Sequence, residues 1–477
     1  MIISFINYFI VTFKKYAIFP IMCFTLLASS FFGTPASLLV SAGFFLYLYQ
    51  RKKFLEIMVL FWYCTIWSDT RHFQAPPLYA AKMLIITLMA AGLLNSKNFG
   101  GKYSKFANSF VPFFVLAFIS MFFADQISGA FQKTLSYLII MLVFPTYILA
   151  SFRREGPEFV RKYVMAGTLV IFTSFIWYIF RVPQGFFAGN LYEASGFSSA
   201  TEAVENGIVN ENVGRFNGIF GNPNGMGIYC NTFFIFFTIC RYYYKEMFSK
   251  YEVIGIYGMT IACCIWCASR GGLFSIVIFL SFIYISKKTS NTVAFFIFFI
   301  MVLSYQTATI FIKDIFEALG LTESFRTGDI EKGSGRLIAI TFLWEKIQQN
   351  FFFSKGWGYT ELLFVKDQDS LNALGHSGGA HNSFLQVWGD LGLVGLVLFL
   401  FGWGSQFWAV ASKSPFAIPM MLSFMFSAFV ESWLIGSLNP WTCVLVSIIA
   451  LFNIREFIEH RNVNVVPVPT PQTQLAV

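Results

Sequence analysis

Apolar stretches alternate with short polar ones along almost the whole chain, and each stretch is continuous instead of alternating residue by residue. A membrane-crossing helix needs about 20 largely apolar residues, fewer where aromatic or basic side chains hold its ends at the interface. By that criterion the pattern predicts fourteen candidate spans. They cover residues 16–32, 35–50, 54–68, 78–94, 107–123, 134–151, 163–180, 222–240, 252–268, 271–286, 291–312, 389–411, 416–435 and 440–454. Hydrocarbon offers backbone amides no partner, so only helices and closed barrels cross it, and barrel strands would show a two-residue period. The predicted fold class is therefore all-α, a polytopic transmembrane helix bundle of about 12–14 spans.

The polar interruptions are unequal. Most are short, but two are long, 181–225 and 313–388, and a compact bundle has no packing need for the second. Within it Ile338, Phe342, Leu343 and Ile347 recur at helical spacing beside Arg336, Glu345 and Lys346, which predicts an amphipathic helix lying over the mouth of the bundle. The chain then divides into N-terminal spans (1–180), a first long outer segment (181–225), central spans (226–312), the large outer loop (313–388), C-terminal spans (389–454) and a tail (455–477).

Basic residues orient this arrangement, because cytoplasmic loops carry the excess of Lys and Arg. Alternate connections hold Lys14-Lys15, Arg51-Lys52-Lys53, Lys97 with Lys102 and Lys105, Arg153-Arg154 with Arg161-Lys162, and Arg241 with Lys245 and Lys250. The series continues with Lys287-Lys288, Lys413, and Arg455 with Arg461, so most of the 33 basic residues fall on one side. Both termini are expected in the cytoplasm, and both long segments in the periplasm. Lys14 and Lys15 follow the apolar stretch Ile2 to Phe13, the reverse of signal-peptide order, so the N-terminus is read as retained and lying in the membrane surface.

Composition agrees with lipid as the solvent: 56% of residues are hydrophobic, 12% are charged, and mean hydropathy is +0.64. The net charge of +9 does not point to nucleic acid, because the bases are scattered through short loops and form no stripe with aromatics. All eight cysteines lie in or at the ends of apolar runs and read as buried thiols. Cys264 and Cys267 have redox-motif spacing, but on a hydrophobic helix.

Four elements on the outer side present a polar group among glycines. These are Arg215 in Gly214-Arg-Phe-Asn-Gly-Ile-Phe-Gly-Asn-Pro-Asn-Gly225, Arg270 in Ser269-Arg-Gly-Gly272, Arg336 in Gly333-Ser-Gly-Arg336, and His381 in Gly378-Gly-Ala-His-Asn382. Arginine offers a fixed fork of donors, and glycine lets a ligand approach the backbone, a combination suited to phosphate or pyrophosphate. The bland alternative for each arginine is snorkelling to lipid headgroups. Arg270 stands at a break between apolar runs, where an uncompensated charge is costly. His381 is either an ordinary loop histidine or a general base for an attacking hydroxyl. Glu431, near the outer end of the run Phe416 to Ile435, is a functional candidate by its position in the membrane, or else a structural partner for an arginine. Asp367-Gln-Asp369 has the form that holds a metal under a nucleotide sugar. Nucleotide sugars are cytoplasmic, however, and these carboxylates are expected outside, so no metal or other cofactor is expected.

Together these segments resemble the O-antigen ligase and polymerase superfamily of bacterial membrane glycosyltransferases. The resemblance rests on Arg215-Phe-Asn-Gly-Ile-Phe-Gly-Asn-Pro-Asn224, Ser269-Arg-Gly-Gly272, Gly335-Arg336 followed by Trp344, Lys355-Gly-Trp-Gly-Tyr359, and above all Ala380-His-Asn-Ser-Phe-Leu-Gln-Val-Trp-Gly-Asp-Leu-Gly-Leu-Val-Gly395. It covers 213–400. The first half of the chain matches only as a run of spans, and members are often counted with about twelve. The resemblance implies an inner-membrane enzyme whose donor is a glycan on undecaprenyl pyrophosphate and whose acceptor is a glycolipid or a lipid-linked repeat unit. It implies no metal or nucleotide, and for a polymerase a chain-length regulator as partner.

Carried over, His381, Arg270 and Arg215 become catalytic residues: the two arginines clamp the pyrophosphate and the histidine receives or steers the acceptor hydroxyl. Arg336, Asn224 and Asn382 become substrate-binding candidates, and Glu431, outside the stretch of resemblance, joins them by its position in the membrane. Polymerase and ligase both fit, with the well-formed motifs closer to polymerases. A lipid-linked oligosaccharide flippase would share the span count, but it would place its polar groups near the membrane midplane and keep short loops. A noncatalytic membrane assembly subunit is a third reading.

Overall fold

The computed structural model describes residues 15–68, 75–99, 104–180, 216–304, 336–373, 379–436 and 438–463. Its regular elements are helices. The N-terminal part contains α1 (Ile18–Phe31), α2 (Thr34–Gln50), α3 (Phe54–Ser68) and α4 (Ala75–Gly92). A 3-10 turn over Phe106–Phe110 leads into α5 (Val111–Ser120), followed by α6 (Ile127–Glu155) and α7 (Pro157–Ile179). The central part is α8 (Pro223–Tyr243), α9 (Lys250–Trp266), α10 (Arg270–Lys288) and α11 (Asn291–Leu303). The loop region holds α12 (Arg336–Gln349), α13 (Tyr359–Lys366) and α14 (Gln368–Ala373). Then come α15 (Ser383–Ala411), α16 (Ala417–Val430), α17 (Pro440–Phe452) and α18 (Arg455–Val463). This is the all-α polytopic bundle that the apolar pattern predicts.

Among the described residues, five helical stretches are individually long and apolar enough to cross a membrane: Phe106–Phe123, Ile127–Glu155, Pro157–Ile179, Arg270–Lys288 and Ser383–Ala411. Shorter apolar helices surround or fill the spaces between them. In α3, every residue from Phe54 to Trp67 is buried, and α8 and α17 are nearly as enclosed. A helix that is apolar all round belongs inside a bundle, and these three form its centre. The opposite case is α11, where Phe295, Phe296, Phe299, Ile300 and Leu303 are exposed. Such a face suits lipid and would be costly in water.

All eight cysteines are buried free thiols. At the end of the bundle that carries the basic loops, Lys162 pairs with Glu56 and Glu155, and Arg161 pairs with Glu252.

The amphipathic helix of the large loop is α12, with Ala339, Leu343 and Ile347 buried and Trp344 packed edge-on against Trp388 of α15. The rest of the loop docks through α15 in two ways. Gly392 interrupts α15 with φ +76°, and there the amides of Leu393 and Val394 donate to the carbonyls of Phe351 and Phe352. A Cβ on Gly392 would lie 2.2 Å from the Phe352 carbonyl oxygen, so only glycine fits.

Second, the N-cap residue of α13 is Gly358, which has no side chain with which to cap the helix. Asp390 of α15 caps it instead, accepting from Gly358 N (3.0 Å) and Thr360 N (2.7 Å). Lys133 of α6 completes the joint, at 2.7 Å from Glu361 and 3.5 Å from the fully buried Asp390. The helix α15 itself begins at Ser383, inside the stretch read as loop, because the Asn382 side chain accepts from the amides of Phe384 and Leu385 and starts the helix early.

Candidate active site

Three of the residues singled out in the sequence meet directly. Glu431 follows the last residue of α16, His381 lies two residues before α15, and Arg336 is the first residue of α12. Glu431 Oε1 is 2.5 Å from an Arg336 guanidinium nitrogen, and Oε2 is 3.1 Å from His381 Nδ1. The three side chains are largely sheltered, at 11%, 28% and 19% exposure for Glu431, Arg336 and His381. A carboxylate at a helix C-terminus is disfavoured by the helix dipole, and the two flanking cationic or proton-donating groups offset that. Because the carboxylate held by Arg336 can only accept, Nδ1 of a neutral His381 carries the proton and Nε2 carries the lone pair.

The backbone fixes this geometry. His381 adopts φ +47°, a left-handed conformation that costs a non-glycine residue energy and recurs where function holds it in place. Ser383 Oγ donates to the Glu431 carbonyl (2.9 Å) and accepts from Leu434 N (3.2 Å), tying the turn after α16 to the start of α15. Ala268 and Leu438, in turns of the same region, also have positive φ.

Arg270 opens α10, whose N-cap Ser269 accepts from Gly272 N. A Cβ on Gly271 would fall 2.9 Å from Val430, the residue before Glu431, so the α10 N-terminus lies against the turn that carries the carboxylate. A Cβ on Gly272 would fall 2.6 Å from the Gly227 carbonyl oxygen, and one on Gly227 would fall 2.2 Å from Ser269. The glycines of the Ser-Arg-Gly-Gly element thus let α8 and α10 touch backbone to backbone. Trp441 Nε1 donates to Gly225 O (3.1 Å), bringing in the start of α17.

Four helices, α8, α10, α15 and α17, therefore point side-chain-capped N-termini, formed by Asn222, Ser269, Asn382 and Asn439, toward the region around the Glu431 turn. Helix N-termini attract anions through their amides and dipoles.

Asn382 and Asn224 lie at these ends in different ways. Asn382 is buried and its carbonyl oxygen is engaged in capping, so what it can offer a ligand is its amide nitrogen. Asn224 sits in the first turn of α8, its own amide capped by Asn222. Arg215 and most of the first long segment lie outside the described residues, as do the extreme N-terminus and the end of the tail. Phe216, next to Arg215, is buried between Tyr178 and Trp266 and donates from its amide to the Trp266 carbonyl. Asp367 is the C-cap of α13, and Asp369 lies in the first turn of α14.

Sequence reasoning passed over Lys133, Glu361 and Asp390. Asp390 was detectable, as an acid within an apolar run. It also passed over Asn217, which is 1% exposed and whose side-chain atoms find no partner among the described residues.

The fold and this site define a multi-pass α-helical membrane protein with a cationic, histidine-bearing centre at one end of its bundle. Residues 256–400 match the family model described as O-Antigen ligase, from within α9 to within α15. The resemblance to the O-antigen ligase and polymerase superfamily, whose members are glycosyltransferase-like ligases and polymerases, is shown over that segment. The matched stretch contains Arg270, Arg336 and His381, and leaves out the Arg215–Asn224 element and Glu431. No curated protein matches the chain.

Proposed function

We propose that this protein transfers a glycan from undecaprenyl pyrophosphate to an acceptor hydroxyl at the periplasmic face of the inner membrane, without a metal, as an O-antigen or exopolysaccharide polymerase. The observation that carries this reading is the contact of Glu431 with both His381 and Arg336, beside the helix end that bears Arg270. The acceptor oxygen attacks the anomeric carbon while His381 Nε2 takes its proton. The bond from that carbon to the pyrophosphate oxygen breaks, and its electron pair leaves with the phosphate. Glu431 holds Nδ1–H and stabilises the imidazolium that forms, the orienting role of the third member of a catalytic triad. Arg270 and Arg215 clamp the departing pyrophosphate, helped by the helix N-termini, and guanidinium groups there supply the charge that a metal would. Arg336 fixes the carboxylate, and Asn224 and Asn382 contribute amide contacts. The segments 181–225 and 313–388 are assigned to the periplasm, which puts the donor lipid tail between helices in the membrane.

A ligase acting on a lipid A-core acceptor is the second reading, favoured by the description of the matching family. A deletion strain separates the two. Loss of polymerase leaves acceptors carrying a single repeat unit, whereas loss of ligase leaves uncapped acceptors and an accumulated lipid-linked polymer. Unchanged surface glycan and unchanged lipid-linked intermediates would remove both.

A further inference from the structure

A cavity of about 630 Å³ lies between the start of α6 and the segment Lys355–Val365. Its polar lining comprises Asp125, Gln126 and Gln132 on one side and Lys355, Tyr359 and Glu361 on the other. The size falls within the roughly 300–1,000 Å³ typical of small-ligand sites.

The charges in this lining are matched to one another. Lys133, also in the wall, pairs with Glu361, and Lys355 lies 3.9 Å from Asp125. Such a site has little to gain from an ionic ligand. What it presents instead is a mixture of donors and acceptors: the exposed Gln126 amide, the Gln132 side chain, whose nitrogen also donates to the Tyr79 hydroxyl (2.7 Å), a phenol, carboxylate oxygens and ammonium groups. Burial and the neighbouring Asp125 and Asp367 carboxylates push the Tyr359 phenol above its usual pKa, which keeps it a neutral donor. Trp357 adds an aromatic wall, 1% exposed, and its indole nitrogen has no partner among the described residues. Sugar hydroxyls both donate and accept, and sugar rings carry apolar C–H faces, so this lining complements an uncharged saccharide.

One lining residue ties the cavity to the turn that carries Glu431. Gly436 lines it and belongs to the turn that starts at Glu431, five residues away, a separation of at most about 18 Å along the chain. That turn is anchored by Tyr137, whose hydroxyl donates to Leu434 O. From the other side, Gln386 of α15 donates to Glu361 (3.2 Å), linking the cavity wall to the helix that follows His381.

We propose that this cavity is a saccharide subsite that holds an uncharged sugar unit of the transferred or receiving glycan while its neighbour reacts at His381. The assignment rests on the glycan-transfer reading given above. The probe is a soluble repeat-unit oligosaccharide, released by mild acid from the producing strain's own surface polysaccharide. Its binding to the full-length protein in nanodiscs is followed by saturation-transfer NMR and calorimetry. Gln132→Ala, an exposed change on α6, and Tyr359→Ala should each weaken binding about tenfold or more, while His381→Ala binds like the unaltered protein. Tyr359→Phe, which keeps the ring, should fall between.

In transfer assays, a raised KM for the lipid-linked donor in Gln132→Ala assigns the subsite to the donor glycan, and a raised KM for the acceptor assigns it to the acceptor. Unchanged oligosaccharide binding and unchanged KM for both substrates in both alanine variants would overturn the subsite and leave the transferase reading standing. Binding that depends on Gln132 and Tyr359 in a protein with no transfer activity would retain a saccharide site and remove the transferase reading.

Discussion

Glu431 stands at the C-terminal end of α16 with its carboxylate 3.1 Å from His381 Nδ1, joining two segments fifty residues apart in the chain. The contact sets the tautomer of the imidazole and pairs it with a charge that Arg336 holds from the other side. Glu431→Gln keeps the shape and removes the charge. Turnover should fall by about 10²-fold or more, within the range of general acid–base contributions, with donor affinity nearly unchanged. His381→Ala should lower turnover at least as far. The assay is glycan transfer from a synthetic undecaprenyl pyrophosphate donor, with donor binding measured separately. A Glu431→Gln protein defective only in donor affinity would assign the carboxylate to binding.

Arg270 sits at the N-terminus of α10 against the Glu431 turn. Arg270→Lys keeps the charge but replaces a two-pronged donor with one ammonium, which cannot reproduce bidentate contact with a phosphate. Transfer should drop about tenfold or more, since every 1.4 kcal/mol lost is a factor of ten. The unaltered enzyme should keep its turnover in excess chelator. Activity that vanishes in chelator and returns with magnesium or manganese contradicts the arginine clamp.

The joint of Asp390, Lys133 and Glu361 holds the large loop on the bundle. Asp390→Asn leaves the buried Lys133 short of a charge and weakens the cap on α13, so it should cost about 3–5 kcal/mol, as breaking a buried pair does. Glu361 is 60% exposed on its side chain, and Glu361→Gln should cost no more than about 1 kcal/mol. Thermal unfolding of purified protein in detergent compares them. Equal melting temperatures for the two variants would show that the joint does not hold the loop.

The orientation is checked by cysteine labelling in cells with a permeabilised outer membrane. A thiol placed at Asp369, in α14, should react with an impermeant reagent, and one at Lys52, between α2 and α3, should not. The native cysteines are buried and give little background. A protected Asp369 site together with a reactive Lys52 site would invert the assignment.

Much of this molecule is set by local pattern. Continuous apolar runs require helices in lipid, and the amphipathic spacing from Ile338 to Ile347 produces α12 because one face must be buried wherever the helix lies. Arg270, Arg336 and His381 stood out in the sequence as charge or imidazole among glycines, and Glu431 as an ionisable group within an apolar run, where it is costly enough to need a purpose.

What the sequence could not supply was which of these groups touch. Glu431 read equally well as a ligand contact or an arginine's partner, and only the meeting of α12, α15 and α16 gives it both Arg336 and His381. The glycines of Ser269-Arg-Gly-Gly272 looked like room for a ligand, yet Gly271 and Gly272 make room for Val430 and the α8 backbone. Asp390 gave no local sign that it caps a helix thirty residues earlier. Secondary structure follows from interactions within a few residues of the chain and from the solvent around it, so sequence alone determined the bundle and the residue types at its outer edge. Pairing across the bundle depends on helix packing between distant segments, and tertiary structure alone decided the Glu431 contacts, the Asp390 joint and the cavity beside them.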